Sequence, residues 1–152
     1  MRIADFTKDW KEIRGKTYEF LGTIPENKIT WRPHKDLGTF GMQIRHLGTS
    51  QRAYIEGIKS GKIDFHDKVF DKEIEKNKSK AIEFLKGLDD ELVALLKKTK
   101  ESKKIEFHDG VYGIKKVYIE NILDWLIQHE TYHQGIFTCY GRLAGLGKFR
   151  LM

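Results

Sequence analysis

The chain of 152 residues has 28 lysines and arginines against 22 aspartates and glutamates, a formal charge of +6, and 39% apolar residues. This length fits a single domain over residues 1–152 with one core, and the single cysteine, Cys139, excludes an intrachain disulfide. The first residues lack the apolar segment of a secretory signal, and no apolar run matches a membrane span, so we expect a cytoplasmic protein outside the membrane.

Apolar residues three and four positions apart predict a first helix from residue 5 or 7 to residue 21. A loop follows, because Pro25 and Pro33 disfavour helical backbone in the residues before them. A second helix is predicted from its N-cap residue, Thr39, to residue 60, and Gly61 closes it.

A long polar connection then leads to leucines at helical spacing, which predict a third helix from about residue 79 to residue 99. Residues 103–113 are expected to form a loop or a short extended piece, because Ile105 and Phe107 alternate with polar residues and Asp109-Gly110 is a turn signal. The last helix is predicted from about residue 118 to residue 144. These elements predict an all-α fold, a four-helix bundle with a long crossover between helices 2 and 3.

The positive charge does not by itself indicate a nucleic-acid binder. Lysines are mixed with glutamates, as in residues 71–80 and 97–104, and no arginine cluster lies beside aromatic residues. Mixed charges of this kind are typical of the solvated faces of helices. We therefore do not expect nucleic acid as a partner; that alternative predicts an affinity that falls steeply with added salt.

The last predicted helix carries His129 and His133, four residues apart. Residues at this spacing share one helix face with Cβ atoms roughly 6 Å apart, so both imidazoles can reach one ion. The pair faces the core, where each imidazole needs a partner for its ring nitrogens. Core histidines with ordinary hydrogen bonds are the alternative, but two histidines at ligand spacing favour a metal site. The residues on the same side are Tyr118, Ile122, Trp125, Ile136 and Tyr140.

The pair also matches the His-Glu-x-x-His motif of zinc peptidases, in which Glu130 would be the general base. Such peptidases usually take a third ligand from the residues that follow, but residues 134–152 contain no His, Asp or Glu. The extended motif requires Gly and His where this chain has Ile136 and Cys139. The sequence therefore argues against a peptidase.

A third ligand must come from upstream, where the candidates are His34, His46, His66 and His108. Only His46 lies inside a predicted helix, whereas the others lie in polar segments where a histidine is usually solvated. Small residues around a ligand leave open volume, and three histidines without a fourth protein ligand are typical of a catalytic site. The face of His46 consists of Met42, Gln43, Ser50, Ala53 and Gly57.

Four residues are candidates for a substrate pocket next to this site. Gln43 and Ser50 can hydrogen-bond a water or a substrate, and Trp125 and Ile136 share the inward side of the last helix. We expect the substrate to enter between helices 1 and 2. Glu130 is either a carboxylate that orients a ligand histidine or a plain charge on the helix surface.

Taken together, the sequence resembles the DinB/YfiT-like superfamily of small helical metalloproteins. The order and separation of the matching stretches cover nearly the whole chain. These stretches are Trp31-Arg32-Pro33, Met42-Gln43-Ile44-Arg45-His46-Leu47, Tyr54-Ile55-Glu56-Gly57 and His129-Glu130-Thr131-Tyr132-His133-Gln134-Gly135.

The resemblance implies a divalent metal ion on His46, His129 and His133, zinc or nickel first and iron or manganese as alternatives. It implies a metal-dependent transferase or hydrolase that acts on a small molecule, and in some relatives a low-molecular-weight thiol takes part in S-transfer. It also implies a homodimer. A non-catalytic metal-binding stress-response protein is the alternative, and it predicts bound metal without turnover. Relatives often have glutamine at the position of Ile136, so the chemistry is expected to differ if that glutamine contacts substrate.

Overall fold

The computed structural model describes residues 1–65, 71–108 and 112–147. In these ranges all four predicted helices are present within a few residues of their expected ends. Within the same ranges, no helix combines the length and the hydropathy that a membrane span requires. The helices are α1 (Ile3–Thr23), α2 (Phe40–Ser60), α3 (Lys78–Leu96) and α4 (Ile119–Leu143), with a short 3-10 turn at Glu26–Lys28 between the first two.

Local capping explains where α2 begins and ends. The Thr39 hydroxyl oxygen accepts a hydrogen bond from the Met42 backbone N–H at 3.1 Å, so the residue acts as the predicted N-cap. At the other end Gly61 adopts a left-handed backbone with φ of 83°, and its N–H bonds to the Gly57 carbonyl. Both ends of this helix were therefore encoded by residues next to them in sequence.

A small three-stranded sheet corrects the prediction of an all-α fold. Strand β1 (Lys62–Ile63) pairs in parallel with β2 (Lys104–His108), and β2 pairs antiparallel with β3 (Ile114–Tyr118). Residues 104–108 form a strand because Ile105 is buried, and burial is favourable only if the backbone N–H and C=O groups there have hydrogen-bond partners. The neighbouring strands β1 and β3 provide these partners. The predicted turn at Asp109-Gly110 lies outside the described residues.

Two apolar clusters occupy opposite ends of the bundle. The first cluster combines the N-terminal halves of α1 and α4 with the C-terminal halves of α2 and α3. The second cluster combines the C-terminal halves of α1 and α4 with the N-terminal halves of α2 and α3. The first cluster includes Phe6, Trp10, Ile55, Ile58, Leu92, Leu96, Ile119 and Leu123. The second includes Phe20, Leu21, Phe40, Ile44, Ala81, Leu85, Phe137 and Tyr140.

This distribution fixes the directions of the helices. Both α2 and α3 run from the second cluster to the first, whereas α1 and α4 run the other way. Residues 61–77 therefore join opposite ends of the bundle, which agrees with a long connection between α2 and α3. Its path includes residues 66–70, which lie outside the described part, so the crossover itself stays a prediction.

Candidate metal centre

Three histidines from two helices meet inside the bundle. One ligand atom from each of His46, His129 and His133 lies within 4.8 Å of those of the other two. The Nε2 atoms of His46 and His129 are 3.1 Å apart, and the ring of His133 lies 4.6 Å from that of His129 and 5.0 Å from that of His46. The structure thus brings together the three histidines that the sequence selected.

Helix packing produces this arrangement. His129 and His133 share one face of α4 because they are four residues apart, and α4 packs against α2, which carries His46. His133 is the most enclosed of the three with 4% of its surface exposed, and the other two are half-buried.

Burial keeps the imidazoles of His129 and His133 neutral. It lowers the pKa of His129 to about 4, with further lowering by His46 and Arg14, and it lowers the pKa of His133 to about 3, with further lowering by the other two histidines. Both rings are therefore uncharged at pH 7, and a neutral imidazole has the lone pair that a metal ion needs.

The residues fit a divalent metal ion. Two nitrogens bound to one tetrahedral zinc ion at about 2.0–2.1 Å each lie roughly 3.3 Å apart, close to the 3.1 Å between His46 and His129. The buried Nδ1 of His133 has no hydrogen-bond partner among the described residues, and coordination of an ion by this nitrogen would offset the cost of burying it. Three imidazoles suit zinc, nickel, iron and copper alike, so the donors do not select the metal.

A cavity of about 290 Å³ lies beside the histidines. It lies between α2 and α4, not between helices 1 and 2 as expected, because α1 packs mainly against α4 and α3. Two of the three histidines form part of its wall, whereas the third lies deeper. The lining residues are His46, Thr49, Ser50, Tyr54, Phe65 and His129.

Of the four predicted pocket residues, Ser50 lines this cavity. Gln43 lies near Gly38 and Tyr140 instead. Trp125 packs on Phe107 with ring centroids 5.4 Å apart. Ile136 packs against the second apolar cluster. The last three residues are absent from the described cavity wall, and their contact with substrate stays a prediction.

Glycines on α2 serve close packing rather than open volume. A Cβ atom at Gly57 would lie 2.3 Å from Ile63 Cγ1, and one at Gly48 would lie 2.1 Å from the Phe84 ring. The expectation that Gly57 leaves space near His46 is therefore wrong, because a neighbouring segment fills that space.

Glu130 belongs to a buried network and is not a surface charge, because only 1% of it is exposed. Its carboxylate accepts a hydrogen bond from the Thr17 hydroxyl and lies 3.5 Å from the Arg14 guanidinium. Burial raises its pKa, although Arg14 and Thr17 oppose that effect. Among the described contacts of this carboxylate, none is to the three histidines, so it does not orient them directly.

The same network crosses the bundle between the two apolar clusters. Arg14 donates to the Gln51 side chain at 2.5 Å and lies 3.3 Å from the carboxylate of Asp89. That carboxylate also accepts hydrogen bonds from Trp10 Nε1 and Gln51 Nε2, both at 3.0 Å, and from the Tyr18 hydroxyl. Side chains from α1, α2, α3 and α4 therefore form one polar layer at mid-height.

The signal for this layer was present on the predicted first helix. Arg14 and Thr17 follow Trp10 at helical spacing, so they share its inward face, where a polar residue needs a buried partner. The partners could not be identified, because they lie on other helices.

Of the other candidate histidines, the two that the structure describes, His34 and His108, lie away from the site. His34 is exposed in the loop before α2, with Nδ1 3.4 Å from the Asp36 carboxylate. His108 is exposed at the end of β2. His66 lies outside the described residues.

Comparisons with known proteins agree with the fold. A sequence model of the DinB family matches residues 2–149. The DinB-like protein YjoA from Bacillus subtilis has a similar structure, with a TM-score of 0.74, 18% identity, and coverage of 97% of this chain and 96% of its own. YfiT from the same organism, described as a probable metal-dependent hydrolase with an unusual four-helix bundle topology, has a TM-score of 0.73, 16% identity and coverage of 95% and 88%. No curated protein matches the chain in sequence.

Proposed function

The chain belongs to the DinB family, and from this premise we propose that it is a metal-dependent enzyme that acts on a small molecule in the cavity between α2 and α4. One observation carries the proposal: three imidazoles, two with strongly lowered pKa values, converge beside a cavity of about 290 Å³. The description of YfiT as a probable metal-dependent hydrolase supports hydrolysis as the reaction class.

The roles of the chain's own residues follow from their positions. His46, His129 and His133 would hold the ion, and the His133 ring packs against Phe137 of the second apolar cluster with centroids 6.5 Å apart. A bound divalent ion supplies Lewis acidity, which polarises a carbonyl and lowers the pKa of water or a thiol. Because His46 and His129 line the cavity, a ligand bound there would lie beside two of the residues that would hold the ion.

The size of the cavity argues for a small substrate. Ligand pockets typically have volumes of about 300–1,000 Å³, and this cavity, at about 290 Å³, is at the lower limit. The non-catalytic alternative predicts bound metal with no turnover. S-transfer from a low-molecular-weight thiol and a homodimeric state remain predictions of the family resemblance.

The test begins with elemental analysis of protein purified without chelator or affinity tag. We expect about one divalent ion per chain in the wild type and in the His34→Ala control. In His133→Ala we expect less bound metal, because the loss of one ligand weakens binding of the ion roughly tenfold or more. His34 is the matched control because it is an exposed histidine away from the cluster. Equal metal content in both variants would contradict the site.

Activity is measured on the metal-loaded protein in two separate assays. Hydrolysis of p-nitrophenyl acetate reports on acyl transfer to water, and reaction of a small thiol with 1-chloro-2,4-dinitrobenzene reports on S-transfer. We expect turnover in at least one assay and its loss in His46→Ala. Bound metal with equal rates in wild type and His46→Ala would favour the non-catalytic alternative. Size-exclusion chromatography of the same samples tests whether the protein is a homodimer.

A further inference from the structure

Three cavity residues form a ladder on α2. His46, Ser50 and Tyr54 are each four residues apart, so they share one helix face, and all three line the cavity. The Cα atom of Tyr54 is about 12 Å from that of His46 along the helix axis. Helical side chains lean towards the N-terminus, so the long phenol of Tyr54 leans back towards Ser50 and His46.

The two hydroxyls of this ladder have no hydrogen-bond partner among the residues that the structure describes. Within the described residues, neither Ser50 nor Tyr54 makes a side-chain hydrogen bond, although both are half-buried. Burial raises the pKa of Tyr54, so its hydroxyl stays protonated at neutral pH and can donate a hydrogen bond. Half-buried hydroxyls without a protein partner are available to bind a ligand or water.

An aromatic wall faces the ladder. The ring of Phe65 packs edge-on against that of Tyr54 with centroids 5.3 Å apart. On its other side the ring of Phe65 packs against that of Phe107, with centroids 5.9 Å apart, and Phe107 packs against Trp125 at a centroid distance of 5.4 Å. These contacts connect the wall to the first apolar cluster. This wall offers apolar contact area and no charge.

The described lining contains no Asp, Glu, Lys or Arg, so away from the proposed metal ion it offers no partner for a charged group of a ligand. We propose that the cavity takes a small uncharged ligand with a carbonyl or related oxygen, to which Tyr54 donates a hydrogen bond, and an apolar or aryl part that packs on Phe65. Tyr54 is thereby a specificity-determining residue. This inference rests on the proposed function, because the ligand would lie beside the metal ion. The positions of Tyr54, Ser50 and Phe65 in the cavity do not depend on whether an ion is bound.

The first experiment uses the cobalt(II)-loaded protein and the visible spectrum of the ion as the readout. The probe is benzohydroxamic acid, which is uncharged in neutral solution, joins an oxygen donor to an aryl ring, and would release its N–OH proton to solvent on binding the ion. Tyr54→Phe should leave the cobalt content and the ligand-free spectrum unchanged, and it should weaken binding of the probe about five- to tenfold, the effect of one lost hydrogen bond. Tyr118→Phe is the control, because Tyr118 is 46% exposed at the end of β3 and is absent from the described cavity wall.

A probe with an added charge tests the uncharged class. 4-Carboxybenzohydroxamic acid should bind more weakly than benzohydroxamic acid, because the described lining offers its carboxylate no cation. Equal affinity of wild type and Tyr54→Phe for the neutral probe, or tighter binding of the charged one, would overturn the inference.

A second experiment separates this inference from the metal. Saturation-transfer NMR with benzamide on the metal-free protein should detect weak binding in the wild type and a smaller signal in Tyr54→Phe. If cobalt fails to bind while benzamide binds as expected, the proposed metal function is wrong and the ligand cavity stands. If benzamide gives no signal, or an equal one in both proteins, the inference about the cavity is wrong.

Discussion

Replacing Arg14 by Met should strongly destabilise the protein, because it removes the cation from the buried polar layer while keeping a side chain of similar length. The guanidinium is 2% exposed and lies 3.3 Å from the Asp89 carboxylate and 3.5 Å from the Glu130 carboxylate. Without it, Glu130 keeps its hydrogen bond from Thr17 but loses its counter-charge. Breaking a buried ion pair by removing one partner costs about 3–5 kcal/mol.

The lower end of that range applies here. Asp89 keeps hydrogen bonds from Trp10, Gln51 and Tyr18 and is partly exposed, so most of the cost arises at Glu130. We expect a loss of about 3 kcal/mol at pH 7, which for a chain of this size lowers Tm by about 6–12 °C. The destabilisation by Arg14→Met should shrink as the pH falls towards 5. Burial already raises the pKa of Glu130, and loss of Arg14 raises it further, so at lower pH the Glu130 carboxylate takes up a proton and its unpaired charge is removed.

Urea unfolding of the metal-free protein at pH 7 and pH 5, followed by circular dichroism, measures both effects. Lys16→Met is the matched control, since Lys16 lies on the same helix in an exposed ion pair with Glu12 at 3.6 Å; we expect a change within about 0.5 kcal/mol. A loss below about 1 kcal/mol for Arg14→Met, or a loss that does not depend on pH, would refute the reasoning.

Two further predictions concern the histidines and the helix glycines. Because burial lowers the pKa values of His129 and His133 to about 4 and about 3, the unfolded metal-free chain binds more protons than the folded one below pH ~6.5. Stability should therefore fall as the pH is lowered from 6.5 to 4, by up to about 1.4 kcal/mol per pH unit for each histidine, and urea midpoints that stay constant over this range would contradict the lowered values. Gly48→Ala should cost about 1–3 kcal/mol through its clash with Phe84, whereas Gly87→Ala, in open space on α3, should stabilise by about 0.4–1 kcal/mol. Thermal unfolding of the two variants measures the difference, and similar Tm values would show that the bundle relaxes around Gly48.

The sequence by itself determined the features that depend on neighbours along the chain. Thr39 and Gly61 marked the ends of α2 through capping interactions that span only a few residues. The spacing of His129 and His133 placed both imidazoles on one side of α4, because the pitch of a helix is the same in every protein.

Only the tertiary structure decided the features that depend on contacts between distant residues. His46 meets His129 across 83 positions of sequence because α2 packs against α4. Glu130 turned out to be buried because Arg14 and Thr17, on another helix, supply its partners. The strand at residues 104–108 likewise required Lys62–Ile63 and Ile114–Tyr118 as hydrogen-bonding neighbours.

The physical reason for this difference is how far apart along the chain the interacting residues lie. Helical periodicity and capping act within one or two turns, so a pattern of neighbouring residues expresses them. The partner of a buried charge, the third histidine and the wall of a cavity are instead chosen when separate helices pack, and packing depends on the shapes of all their buried side chains at once.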